Sequence, residues 1–129
     1  MKWTNTPDTH LLESYCEGKD GKNLGWVNGL FDIDYNESYE ALVCNGYEAA
    51  TLLGHYKTPR LAQMAVEREL LKRRFRYEYG WLGGYKPYLH VFMKGNDDKQ
   101  IARKSYYYQY AGQSKTILAR AKKDFLAEL

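Results

Sequence analysis

An α+β fold is expected: two small antiparallel β-meanders, each followed by a helix, packed as one compact domain over residues 1–129. Three observations carry that expectation. Short apolar runs recur at strand length, separated by turn-forming residues. Two longer segments place apolar residues at helical spacing. The order strand, turn, strand, helix also occurs twice, giving sub-units over 26–78 and 79–129 after an N-terminal extension of 1–25.

The extension is the least patterned part. Leu11 and Leu12 suggest a short turn of helix, and Glu17-Gly-Lys-Asp-Gly-Lys-Asn23 reads as a turn. Three strands follow at Trp26–Asp34, Tyr39–Cys44 and Ala49–Gly54, divided by Asn36-Glu-Ser38 and by Asn45-Gly46. Asn-Gly is a hairpin signal because both residues tolerate positive φ. Thr58 then offers an N-cap, and Pro59 sits where a missing N–H costs nothing. Leu61, Ala62, Ala65, Val66 and Leu70 form the apolar stripe of this first helix, which is expected to end in the cationic run Lys72-Arg-Arg-Phe-Arg76.

The second half begins with an aromatic stretch interrupted by Gly80, Gly83 and Gly84. Strands are expected at Tyr88–Lys94 and Gln100–Tyr110, with a turn at Gly95-Asn-Asp-Asp98. Gly112 and Ser114 introduce a second helix carrying Ile117, Leu118, Ala121, Phe125, Leu126 and Leu129 on its apolar side. The core is expected to contain Leu61, Ala65, Val66, Leu70, Ile117, Leu118, Ala121 and Phe125. Tyr39 and Val43 match Tyr88 and Phe92 at an offset of 49, and Thr58, Leu61, Ala65 and Leu70 match Ser114, Ile117, Ala121 and Leu126 at an offset of 56. Internal duplication is one reading of that coincidence, and convergence on a common plan is the other.

Charge is divided along the chain more sharply than its total of +3 suggests. Residues 1–55 hold three basic groups against nine acidic, a net of −6; residues 56–129 hold sixteen against seven, a net of +9. Such a division favours charged macromolecular partners. Thirteen tyrosines, each with a flat apolar body and a polar tip, suit half-buried sheets, interfaces and base stacking. Cys16 and Cys44 show no zinc-ligand spacing, so two reduced thiols are the default, with one disulfide left open. The first residues lack the apolar core of a signal peptide and no run approaches membrane-spanning length, so a cytoplasmic protein without membrane contact is expected.

Catalytic signatures are missing from the sequence. His10, His55 and His90 are scattered, Asp97-Asp98 reads as turn chemistry, and no phosphate loop or paired metal-ligand motif occurs. The expectation is a non-enzymatic module without cofactor or metal. A metal-free ribonuclease using Arg, Lys and Tyr would leave no signature and stays open.

Leu53-Gly-His-Tyr56, followed by Thr58, Ala62 and Ala65, resembles the junction of sheet and helix in AP2-type and integrase N-terminal DNA-binding domains. The resemblance covers roughly residues 26–70. It implies a three-stranded sheet backed by a helix, with the sheet face laid into a DNA major groove. The family's strands turn Arg and Trp toward DNA, whereas this meander carries Asp32, Asp34, Glu37, Glu40 and Glu48, which phosphates would repel. DNA contacts are therefore not transferred to this segment.

The second half is the better candidate for nucleic acid, DNA or RNA. Lys86, His90, Lys94, Lys99, Arg103 and Lys104 interleave with Tyr88, Tyr106, Tyr107 and Tyr108. Cations neutralise phosphates and tyrosines stack on exposed bases. The expected binding set is Lys94, Arg103, Lys104, Tyr106 and Tyr108, joined by Arg68, Lys72, Arg74 and Arg76 at the end of the first helix. Strand alternation puts Tyr106 and Tyr108 on one face and Tyr107 on the other, so at least one of the three belongs to the core. The alternative is a small inhibitor or interaction protein of the kind phages and mobile elements direct against host defence, such as an anti-CRISPR. There Asp32, Asp34, Glu37 and Glu40 would imitate phosphates toward a host nucleic-acid-processing protein. The resemblance to such inhibitors is one of general acidic character. Two oppositely charged faces could also pair head-to-tail in a homodimer.

Overall fold

A computed structural model describes residues 1–6, 13–45, 49–82, 86–94 and 100–129. The chain is α+β, with two antiparallel sheets and two helices. It divides into two units: Met1–Leu70 with Glu128–Leu129, and Leu71–Ala127. The expected helix turn at Leu11 and Leu12, the hairpin glycine at position 46, the Gly83 and Gly84 break, and the turn at 95–98 lie outside the described residues. No helix among the described residues is long and apolar enough to cross a membrane.

The first unit is built on five strands in sequence order: β1 (Lys2–Asn5), β2 (Ser14–Glu17), β3 (Asn23–Phe31), β4 (Glu37–Cys44) and β5 (Ala50–Tyr56). Its sheet is larger than the expected three-stranded meander because β1 and β2, each of four residues, add to the edge of β3. Contacts from far along the chain hold them. Trp3 Nε1 donates to Glu67 Oε1 at 3.2 Å, and Gln63 Nε2 donates to the buried Ser14 Oγ at 3.0 Å. The β3–β4 turn comes earlier than the expected Asn36–Ser38. Asp32 Oδ1 accepts the backbone N–H groups of Asp34 and Asn36, both at 2.9 Å, and this Asx turn ends β3 at Phe31.

Period-two alternation then sets the core. Tyr39, Ala41 and Val43 of β4 point inward with Val27 and Cys16. Two register shifts turn further residues inside: Leu24 between the paired Glu17–Asn23 and Cys16–Gly25, and Leu53 between Leu42–Leu52 and Ala41–Gly54. The Tyr39 hydroxyl donates to Glu37 Oε2 at 3.0 Å. Burial first, then that carboxylate, pushes its phenol above the ordinary value of 10.0.

Helix α1 (Pro59–Arg74) starts where Thr58 and Pro59 indicate, with Leu61 N donating to Thr58 Oγ1 at 3.2 Å. Its inward stripe is Ala62, Ala65, Val66 and Leu70. Leu61, expected in the core, is instead 47% exposed. It sits to one side of the 62–66–70 row, on the flank it shares with the exposed Met64 three residues on.

Helix α1 ends at Arg74, and strand β6 (Phe75–Leu82) begins at the next residue. The helix therefore stops short of the expected Arg76, because Phe75, Tyr77, Tyr79 and Trp81 alternate as a strand requires. Strands β7 (Lys86–Lys94) and β8 (Gln100–Tyr107) complete a sheet of order β6-β7-β8, and a 3-10 turn (Ala111–Gln113) leads into α2 (Ser114–Glu128). Gln113 Oε1 accepts the N–H groups of Gln109 and Tyr110, fixing the approach to the helix.

Helix α2 packs on one face of this sheet through the buried Ala121 and Phe125. Phe125 meets Phe75 edge-on at 5.5 Å between ring centroids, and Tyr106 donates to Asp124 Oδ2 at 2.8 Å. Ile117 and Leu118, expected in the core, are half-buried at its margin. The offset of 49 carries the buried Tyr39 and Val43 onto half-buried positions of β7, whereas the buried residues there are Pro87, Leu89 and Val91. A slip of one residue exchanges the faces of a strand, so that alignment matches residue types but not burial.

Candidate nucleic-acid interface

The face of the three-stranded sheet opposite α2 carries four rings and three cations among the described residues. Strand alternation builds it. Pro87, Leu89 and Val91 of β7 turn toward the helix, which leaves Lys86, Tyr88, His90 and Phe92 on the other side. Antiparallel register sets three cross-strand rows there: Gly80–Tyr88–Tyr107, Glu78–His90–Ser105, and Arg76–Phe92–Arg103.

The rings form a row along the central strand. Tyr88 and His90 lie 4.3 Å apart between centroids, His90 and Phe92 6.5 Å, and Tyr88 meets Tyr107 edge-on at 6.4 Å. The Tyr88 ring lies over Gly80, where an added Cβ would collide with its Cζ, Oη and Cε2 atoms. His90 Nδ1 shares a hydrogen bond with Ser105 Oγ at 2.7 Å. Cations cover two of the rings, with Lys86 Nζ 5.2 Å from the Tyr107 centroid and Arg103 Cζ 5.3 Å from that of Phe92. Arg76, Lys86, Arg103 and Tyr107 are all exposed, so the flanks of the row are open to solvent. Among the described residues the face holds three permanent cations, Arg76, Lys86 and Arg103, against one carboxylate, Glu78.

No family model matches the chain, and neither a curated protein nor a solved structure is significantly similar to it.

The expected binding residues separate on this geometry. Arg76 and Arg103 lie together in one row of the open face. Lys104 falls on the helix side, 3.8 Å from Asp124 Oδ2 and over the Tyr106 ring. Tyr106 and Tyr108, expected to stack on bases, are core residues at 8% and 9% exposure. The same alternation that turns Tyr107 outward turns both of them in, and a ring enclosed on that side has no face to offer a base. Arg68 and Lys72 are exposed on α1, one turn apart, and Arg74 is half-buried at its last residue. The side chain of Lys94 lies outside the described residues. Phe92 and Gly80 were not anticipated as parts of the face. Their signal was the alternation in Lys86-Pro-Tyr-Leu-His-Val-Phe92, which needs the strand boundary to be read.

A second exposed surface caps the β3–β4 hairpin. Phe31, Ile33 and Tyr35 are 56%, 94% and 86% exposed, alternating with Asp32 and Asp34. Of the four carboxylates expected to face a partner, Asp32, Asp34 and Glu37 are exposed, Asp32 also holding the Asx turn and Glu37 accepting from Tyr39. Glu40 is half-buried, accepts from Asn28 Nδ2 at 3.1 Å and stands 3.6 Å from His55 Nε2. Among the described residues, no group of three or more His, Cys, Asp or Glu is placed to hold a metal ion.

Proposed function

We propose that the chain is a nucleic-acid-binding module and that the open face of β6, β7 and β8 is its contact surface. One observation carries the reading: a row of three rings on an exposed strand face, flanked by Arg76, Lys86 and Arg103. Aromatic rings give bases a surface to stack on, and the cations beside them neutralise phosphates. Neither element needs a catalytic group or a bound metal. The composition is consistent with such a module acting in the cytoplasm.

The opposed placements of Arg103 and Lys104 supply the test. Fluorescence anisotropy with labelled oligonucleotides, single-stranded and duplex, should give an affinity that falls by a log–log slope of about two to three as salt rises, roughly one unit per phosphate neutralised. Arg103→Glu should weaken binding more than about tenfold, as expected for reversing a phosphate-facing charge. Lys104→Glu, on the helix side, should change it less than about twofold at the same salt. Equal losses from the two variants, or no binding at low salt to any oligonucleotide, would remove the reading.

A second reading, a small inhibitor that docks on a host nucleic-acid-processing protein, is favoured by the hairpin tip. Large apolar side chains held outward by an Asx turn, with carboxylates between them, suit an apolar pocket with a basic rim. On this reading Ile33→Ser with Tyr35→Ser abolishes retention of a purified partner, and Asp34→Asn weakens it. Retention that survives the serine pair would exclude the hairpin.

A further inference from the structure

We infer that the open sheet face selects a single strand over a duplex, with bases on Tyr88, His90 and Phe92 and phosphates toward Lys86, Arg103 and Arg76. This rests on the nucleic-acid reading of the same face and adds the class of ligand. The spacing of the rings suits a single strand. Their centroids are 4.3 Å and 6.5 Å apart along the strand. Bases within a duplex repeat at about 3.4 Å and hide both faces in their own stack. A duplex laid on this sheet would touch the cations and leave the rings without a partner unless a base were flipped out. An extended single strand has free base faces and an adjustable spacing, so it can use rings and cations together.

The rings are also already placed. Gly80 provides the room over which Tyr88 lies, Ser105 holds His90 through Nδ1, and Arg103 sits over Phe92. Little side-chain ordering remains to be done on binding, which favours the ligand that uses all three. Ring and cation are paired at both ends of the row. Arg103 accompanies Phe92, and Lys86 accompanies Tyr107 beside Tyr88. Each end thus offers one base and one phosphate contact, a footprint of about three nucleotides.

The test compares one mixed sequence of about twelve nucleotides, as single-stranded DNA, single-stranded RNA and duplex DNA, at a fixed salt concentration with the full chain. At least one single strand should bind about tenfold or more tightly than the duplex, the size expected from a few stacked bases. Phe92→Leu and Tyr88→Leu keep apolar bulk and remove the ring. Each should weaken single-strand binding about five- to tenfold and leave duplex binding unchanged. Gly80→Ala leaves every ring in the sequence but displaces Tyr88, and it should act in the same direction without altering the thermal transition. Arg103→Glu should weaken both ligands. Duplex binding equal to or tighter than both single strands, or leucine variants that weaken the two ligands alike, would overturn the single-strand inference while the nucleic-acid reading stands. Binding to none of the three overturns both.

Discussion

Phe125→Ala is expected to destabilise the second unit by about 3–5 kcal/mol, the usual cost of emptying a buried aromatic site. Phe125 is the largest fully buried side chain among the described residues, at 1% exposure, and its ring closes on Phe75 at 5.5 Å. On its own element Ala121 is the other buried position, and Ile117, Leu118 and Leu126 are half-buried. Phe75, its ring partner, is itself a buried strand residue of β6. Phe125→Leu, which keeps part of that volume, should cost about half as much. Urea unfolding followed by far-ultraviolet circular dichroism measures both, with the slope unchanged if only stability has moved. A loss below about 1 kcal/mol for the alanine variant would mean that the sheet and α2 close over the gap.

Gly25→Ala should cost the first unit about 1–3 kcal/mol, although alanine is the smallest possible addition. The single methyl group would stand 2.6 Å from the Leu42 carbonyl oxygen and 2.7 Å from Val66 Cγ1. One of these is backbone of the neighbouring strand and cannot rotate away. The other belongs to α1, whose row of Ala62, Ala65 and Val66 comes close to the sheet because nothing projects from position 25. Accommodation must separate β3 from β4 or lift the helix. Pairing with Val66→Ala tests the second route: the double variant should lose less than the sum of the single losses, since the two groups compete for one space. Strict additivity would place the strain in the strand pair alone.

Sequence reasoning reached furthest where a local rule coincides with the tertiary outcome. The Thr58-Pro59 start of α1 is a matter of its own backbone hydrogen bonds, and it is found as expected. So are β4 and β5, which alternate or bound themselves with turn residues, and the start of α2 at Ser114. Strands β1 and β2 were illegible because four residues carry too little alternation to read. What makes them strands is Glu67 and Gln63, 64 and 49 residues away. Strand β6 was legible in principle, through Phe75, Tyr77, Tyr79 and Trp81. The helical stripe upstream and the basic run across the junction outweighed that alternation, since cations also suit a helix end. For the candidate interface, composition singles out the second half of the chain, and alternation alone does not say which tyrosines point outward. Only the position of α2 decides that, and it encloses Tyr106 and Tyr108.

Strand β8 sets the proposed contact surface and the interior one residue apart, with Arg103, Ser105 and Tyr107 on one side and Lys104, Tyr106 and then Tyr108 on the other. Under mutation the two sides are consequently independent in one respect and inseparable in another. Substitutions at 103, 105 and 107 can retune what the surface recognises while the interior keeps its residues, so this strand is free to diversify by point changes. Loss or gain of a single codon in the strand ahead of Arg103 would turn the tyrosines of the interior outward and the arginine inward at one stroke. Such a strand should vary in composition while its length stays fixed.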